Sequence, residues 1–203
     1  MGFFSLDSPL YKFLSRLLDV LKLNFLWILF SLPIVTIGAS TVAAYSVALK
    51  MVDDQEGYIG KSFLKAFKEN WKQGIILGFI TMASIYLVCI NFSLFYAIES
   101  NPLPLVIVGV LASVYFTFSF IYAYPLIARY DNTIFNTLKN SFLISIRFVL
   151  RTIILLLIIA FTLLLIFFNK TNIFFGIILG PAFIIFTVSS FALRIFQKLE
   201  ESE

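Results

Sequence analysis

Four lysines at three- and four-residue steps, Lys61, Lys65, Lys68 and Lys72, are the most regular set of chemically active side chains in the sequence. On a helix that spacing puts the ammonium groups on one face, where they can hold anionic lipid headgroups or the acidic surface of a partner. Covalent chemistry is poorly provided for. There is no histidine, which removes His-based acid–base catalysis, Ser-His-Asp and Cys-His nucleophiles, and His-ligated zinc. The one cysteine, Cys89, can form neither an internal disulfide nor a thiolate cluster, and its apolar run makes it read as a small buried hydrophobe. None of the nine glycines belongs to a GxGxxG or Walker phosphate loop. No catalytic residue, metal ligand or cofactor is expected, and the chain reads as a non-enzyme.

The elements that must position the lysines are membrane helices. Of the 203 residues, 61% are hydrophobic and only 13% charged, against about 25% charge in a soluble domain, and mean hydropathy is +1.00. Five stretches lack Asp, Glu, Lys and Arg: Leu23–Leu49, Gln73–Ile98, Ser100–Ala128, Thr152–Asn169 and Thr171–Leu193. A helix needs about 20 residues to cross roughly 30 Å of hydrocarbon. The expectation is a single all-α integral membrane domain over 1–203, with membrane segments at about 23–49, 74–98, 103–128, 152–169 and 172–193.

The net charge of +4 is a topology signal before it is a hint about partners, and no nucleic-acid partner is expected. Lys50, Lys61, Lys65, Lys68 and Lys72 lie between the first and second stretches, and Arg129, Lys139, Arg147 and Arg151 between the third and fourth. Both segments are expected on the cytoplasmic side of the cell membrane, together with the tail carrying Arg194 and Lys198. The connectors at Glu99–Pro104 and around Lys170 then face outward. The first stretch conflicts with this count, because one crossing would leave Lys12, Arg16 and Lys22 outside. A bend at Pro33-Ile-Val-Thr36-Ile-Gly38 resolves it: Pro33 removes a helix hydrogen bond, and Gly38 permits an unusual turn. The favoured reading is therefore a broken first segment, giving six membrane elements with the N-terminus inside. Gly38-Ala39-Ser40 imitates a signal-peptide cleavage site, but the apolar run continues past it and is read as uncleaved.

The basic segments read as amphipathic helices lying along the membrane. Phe63, Leu64, Phe67 and Trp71 oppose the lysines, and Ile134, Phe135, Leu138, Phe142 and Ile146 repeat the pattern ahead of the fourth segment. Each should run on into the membrane, as long helices from about Lys61 to Ile98 and Ile134 to Phe168. Lys61, Lys65, Lys68, Lys72, Arg147 and Arg151 are the candidate docking residues for a partner or for membrane lipid. Within the spans no ionisable side chain offers a coupling site for transport. Their hydroxyl groups read as packing contacts, and Asn91 is the best candidate for an interhelical hydrogen bond. Asp19 with Lys22, and Asp131 with Arg129, are candidate surface pairs. An ungapped offset of 79 residues aligns Ser62-Phe63-Leu64 with Ser141-Phe142-Leu143, and Lys68 and Lys72 with Arg147 and Arg151. A true duplication would make the first stretch one crossing.

The run from Asn24 to Gly74 carries Asn24 and Trp27, Pro33, Thr36 and Gly38, the small-residue helix Ala39 to Ala44, Gly57-Tyr58, and Phe67 to Gln73. It resembles the N-terminal half of the YesL-like bacterial membrane proteins, and Pro125 to Leu143 resembles a second shared block. Ala39 departs from the pattern, which often has proline there. The resemblance implies an integral membrane protein of unknown biochemical activity, associated through its genes with ABC-type sugar importers of Gram-positive bacteria. It brings no catalytic residues; Pro33, Thr36 and Gly38 are carried as a candidate structural turn. An accessory component of carbohydrate uptake, bound to importer subunits, is the first expectation. A permease-like pore for an uncharged solute is the alternative, weakened by the lack of a Glu-Ala-Ala coupling motif. Oligomeric state and substrate are not legible.

Overall fold

The computed structural model describes residues 9–55, 57–98 and 103–201, and the described chain is helical without strands. The helices are α1 (Pro9–Ser31), α2 (Ile37–Val52), α3 (Ile59–Ala97), α4 (Leu103–Phe120), α5 (Ala123–Arg129), α6 (Ile134–Arg147), α7 (Val149–Phe167) and α8 (Lys170–Glu200). Five stretches are long and apolar enough to cross a membrane: Ile34–Val52, Ile59–Ala97, Leu103–Arg129, Val149–Phe167 and Lys170–Glu200. The protein is an all-α membrane bundle. Residues 99–102 of the first connector expected to face outward lie outside the described residues.

The break in the first segment arises where the ladder loses its donor at Pro33. The chain leaves α1 at Ser31, makes a 3₁₀ turn over Ile34–Thr36 and re-enters a helix at Ile37. The Thr36 hydroxyl caps the spent end of α1, 2.6 Å from the Phe30 carbonyl and 2.7 Å from that of Pro33. The two arms are antiparallel: Ser31 meets Ser40 at 2.6 Å, Trp27 donates to Thr41 at 3.1 Å, and Arg16 pairs with Asp54 at the open end. α1 begins at Pro9, well before the charge-free stretch does, so the first arm is longer than charge counting suggests. α2 itself, with 16 residues, is about 24 Å long, and the crossing length of its stretch includes the Ile34–Thr36 turn ahead of it. The tip residues Leu32, Ile34 and Val35 are apolar and exposed, suited to hydrocarbon.

α2 lies in the middle of the bundle, and its small residues are the reason. Ala39, Val42, Ala43, Ala44 and Ala48 have no exposed surface. Gly38 is an ordinary helical residue in α2, so the freedom expected of it in a turn is unused. Its function is close approach: a Cβ there would lie 2.8 Å from the Cα of Gly78 and closer still to the Gly74 carbonyl on α3. Gly74-x-x-x-Gly78 is a small-residue seam that lets two backbones touch. The same pentapeptide, GIILG, recurs at Gly176–Gly180, where Ile166 of α7 fills the notch.

α3 is one helix of 39 residues, about 58 Å, so roughly half of it must project beyond the hydrocarbon. The second long helix expected from Ile134 to Phe168 is instead two, α6 and α7, parted at Phe148 (φ −115°, ψ 40°). No proline or glycine marks the site. The Thr152 hydroxyl bonds to the Ser145 carbonyl at 3.3 Å, occupying the acceptor that Val149 would use in a continuous helix. Cys89 is exposed, contrary to the buried position expected. In a bilayer an apolar run faces outward as readily as inward, so apolarity alone does not bury a side chain.

Candidate functional site

The lysine face is built on the first third of α3. Lys61, Lys65, Lys68 and Lys72 are all exposed, on a helix whose opposite side, Ile59, Phe63 and Ala66, is buried. Phe63 and Phe67 pack on Phe30 of α1 with ring centroids 5.4 and 5.0 Å away. The segment is therefore a wall of the bundle, and its apolar side is used up inside the protein instead of lying on lipid. Leu64 and Trp71 stay half exposed beside the lysines. Lys61 sits 5.3 Å from the Tyr58 ring centroid, Lys72 sits 5.7 Å from that of Trp71, and Lys65 is 3.9 Å from Glu69. Such exposed pairs contribute little stability and leave the charges available.

The second basic set is separate. Arg147 and Arg151 flank the break at Phe148, with guanidinium carbons 5.9 and 5.5 Å from its ring centroid. Among the described residues one hydrogen bond joins the segments, from Gln73 Nε2 to the Asn132 carbonyl at 3.1 Å, near Lys72 and at the foot of α6. α6 also turns a different face inward from the one its hydrophobicity suggests. Phe135 and Ile146 are exposed, whereas Thr137, Ser141, Ile144 and Ser145 are buried against α4 and α5.

One end of the bundle collects the charged ends of several helices. Gln197 of α8 approaches Asp53 at 3.4 Å, and Arg129 grips Glu200 through two bonds of 3.1 and 3.2 Å. Tyr130 donates to Glu200 as well, and burial pushes its phenol up to about 12, with that bond adding to the rise. Arg129 thus pairs with Glu200 in place of the expected Asp131, while Lys22 and Asp19 do pair, at 3.0 Å. Arg16, Asp53, Asp54, Arg129, Gln197 and Glu200 share this end, so the N-terminal arm and the C-terminal helix approach the α2–α3 turn from one side.

The polar residues that hold the membrane interior together are mostly not those the sequence singled out. Asn91 does reach across from α3 to α4, where its carbonyl oxygen fills the space above Gly109, but that oxygen has no hydrogen-bond partner among the described residues. Asn24 carries the interhelical bonds instead. It is 2% exposed, and its amide donates to the Ile177 and Ile178 carbonyls at 3.2 and 2.7 Å while accepting from Ala182 N–H at 3.0 Å. Pro181 explains the need, because Ile177 has no helical donor four residues on. A second mend serves a helix break with no proline in register, because the Phe118 carbonyl would take the Tyr122 N–H in a continuous helix. At the junction of α4 and α5 the Tyr122 N–H donates to Ser141 Oγ at 3.2 Å, and the Ser141 and Ser145 hydroxyls bond to the Phe118 carbonyl at 3.3 and 2.8 Å. The readable signal for the first was Pro181, a proline inside an apolar segment, which obliges some other residue to supply a hydrogen bond; the second had no such mark.

Comparison with known proteins fits this architecture. A family profile described as "Protein of unknown function, DUF624" matches residues 20–92, which run from Asn24 through the hairpin and the lysine face to Asn91. The chain is 29% identical over 145 residues to "Uncharacterized protein YesL" of Bacillus subtilis (strain 168), covering 70% of this chain and 68% of that protein. No solved structure matches. Asn24, Pro33, Thr36, Gly38 and Lys61 to Lys72, which build the hairpin and the basic face, all fall within the region that the DUF624 profile matches, and the chain is similar to YesL over 70% of its length.

Proposed function

We propose that the protein is a non-enzymatic accessory component of the cell membrane that docks on another membrane complex, an ABC-type carbohydrate importer, through Lys61, Lys65, Lys68 and Lys72. One observation carries the reading: the lysines are exposed on a helix whose apolar side is already buried against α1, so anchoring does not consume the basic face. Arg147 and Arg151 supply a second contact, to the same partner or to anionic lipid. On this reading Lys50, Lys61 to Lys72, Arg129, Arg194 and Lys198 mark the cytoplasmic end, with both termini inside. The importer as partner rests on the family resemblance and its gene association in Gram-positive bacteria. The docking reading is favoured over a solute pore because the cavities of about 340 and 440 Å³ are lined mainly by apolar side chains, while the polar one, of about 430 Å³, lies beside Arg147 and Glu200 at the charged end. The test is the double variant Lys65→Glu with Lys72→Glu. Insertion and fold should stay intact while the partner is lost; a partner retained at wild-type level overturns the reading.

A further inference from the structure

A cavity of about 440 Å³ opens between the α1–α2 hairpin and the α7–α8 pair, at the level of the Pro181 kink. Its wall includes Trp27, Thr41, Tyr45, Gly180, Pro181 and Ile184. It lies where Pro181 interrupts the hydrogen-bond ladder of α8, and Asn24 keeps the backbone there hydrogen-bonded. The size suits a small organic molecule, for which sites run from about 300 to 1,000 Å³. Rim residues Ile173 and Ile177 are apolar and exposed, so an apolar tail can leave sideways into lipid.

The polar groups in the wall are nearly all satisfied. Trp27 Nε1 donates to Thr41 Oγ1, and Thr41 donates in turn to the Ile37 carbonyl at 2.7 Å. Tyr45 is the exception. It is 7% exposed, stacks at 6.3 Å on Tyr124 and lines the cavity, yet its hydroxyl has no hydrogen-bond partner among the described residues. Tyr124 differs, since its hydroxyl meets Thr81 Oγ1 at 3.0 Å. A phenol that opens on an apolar cavity lacks the hydrogen bond it would make in water, and an acceptor that arrives with a ligand supplies it.

We infer that this cavity binds a neutral, membrane-dissolved molecule with a planar conjugated carbonyl and an apolar tail, of the prenylated-quinone class, whose carbonyl accepts from Tyr45. The indole of Trp27 and the ring of Tyr45 give a flat head group two aromatic neighbours. An acyl chain alone fills the volume and leaves the phenol unmatched. This inference is independent of the lysine face and stands if no docking partner exists.

The test uses the full chain with Trp71→Phe, which leaves Trp27 as the single indole, in phosphatidylcholine nanodiscs titrated with menaquinone-4. Saturable quenching of Trp27 is expected, with the apparent affinity falling about fivefold in Tyr45→Phe, the size of one ordinary hydrogen bond. Melting of ligand-free Tyr45→Phe should match or exceed that of the parent, because that hydroxyl has no protein partner to lose. Ile177→Phe, which crowds the rim, should weaken binding too. Linear, unsaturable quenching means partition into the bilayer only and overturns the inference. So does saturable quenching that Tyr45→Phe leaves unchanged, or that hexadecane competes away as well as the quinone does. A Tyr45→Phe protein that melts lower without ligand shows a protein partner for the hydroxyl and also overturns it.

Discussion

Replacing Asn24 with leucine removes the three bonds that carry α8 past Pro181, at 2.7, 3.0 and 3.2 Å, and changes side-chain volume little. It leaves the Ile177 carbonyl and the Ala182 N–H without partners in a site that is 2% exposed. Each orphaned buried group costs about 1–3 kcal/mol, and interhelical bonds in membrane proteins average about 0.6 kcal/mol by double-mutant cycle, so a loss of about 2–4 kcal/mol is expected. The discriminating perturbation adds Pro181→Ala. With an N–H restored at residue 181, the Ile177 carbonyl regains a donor within its own helix, and losing Asn24 should matter less by at least about 1 kcal/mol. Reversible unfolding in mixed micelles with rising dodecyl sulfate, followed by far-UV circular dichroism, measures all four corners of the cycle. A coupling below about 0.5 kcal/mol, or an Asn24→Leu protein as stable as the parent, refutes the claim that Asn24 mends the proline gap.

Other substitutions probe the remaining contacts. Gly38→Ala should cost about 1–3 kcal/mol by forcing α2 off α3, whereas Gly60→Ala, with nothing within 4 Å of the new methyl group, should be neutral or stabilising by up to about 1 kcal/mol in the same unfolding assay. Ser141→Ala leaves the Tyr122 N–H unpaired at the α4–α5 junction and should cost about 1–3 kcal/mol; an unchanged midpoint would show the junction closed by other means. Arg129→Gln breaks a two-bonded but largely solvated pair with Glu200 and should lower stability by about 1 kcal/mol or less, a larger loss pointing to a role beyond that pair.

The sequence made the helices legible and their neighbours much less so. Charge-free runs mark the apolar spans because hydrocarbon tolerates almost no ionised side chain, and Pro33 marks the hairpin because it removes a donor. The break at Phe148 had no such mark: it depends on a hydroxyl seven residues from the carbonyl it reaches, a relation with no local signature. Cys89 was misplaced because burial inside a bundle and exposure to lipid select the same apolar composition. Asn24 carried no mark beyond its place in the family pattern, because its purpose lies 153 residues away at Ile177. Gly38 was legible as a special residue and misread as to why, since its partner seam, Gly74-x-x-x-Gly78, is visible only as a spacing. The exposure of the four lysines on one helix was legible, because periodicity aligns their charges, but the burial of the opposite side against Phe30 was not, since its partner lies on another helix.

That face carries the functional account, and one measurement tests it most directly. The tagged protein and its Lys65→Glu, Lys72→Glu variant are each recovered from native membranes in mild detergent after brief crosslinking, and what accompanies them is quantified by mass spectrometry. The account predicts importer permease or binding-protein subunits in near-stoichiometric amount with the parent and a loss of at least about tenfold with the variant, at equal membrane insertion. Recovery of the parent protein without a partner, or a partner that the two charge reversals leave in place, would contradict it.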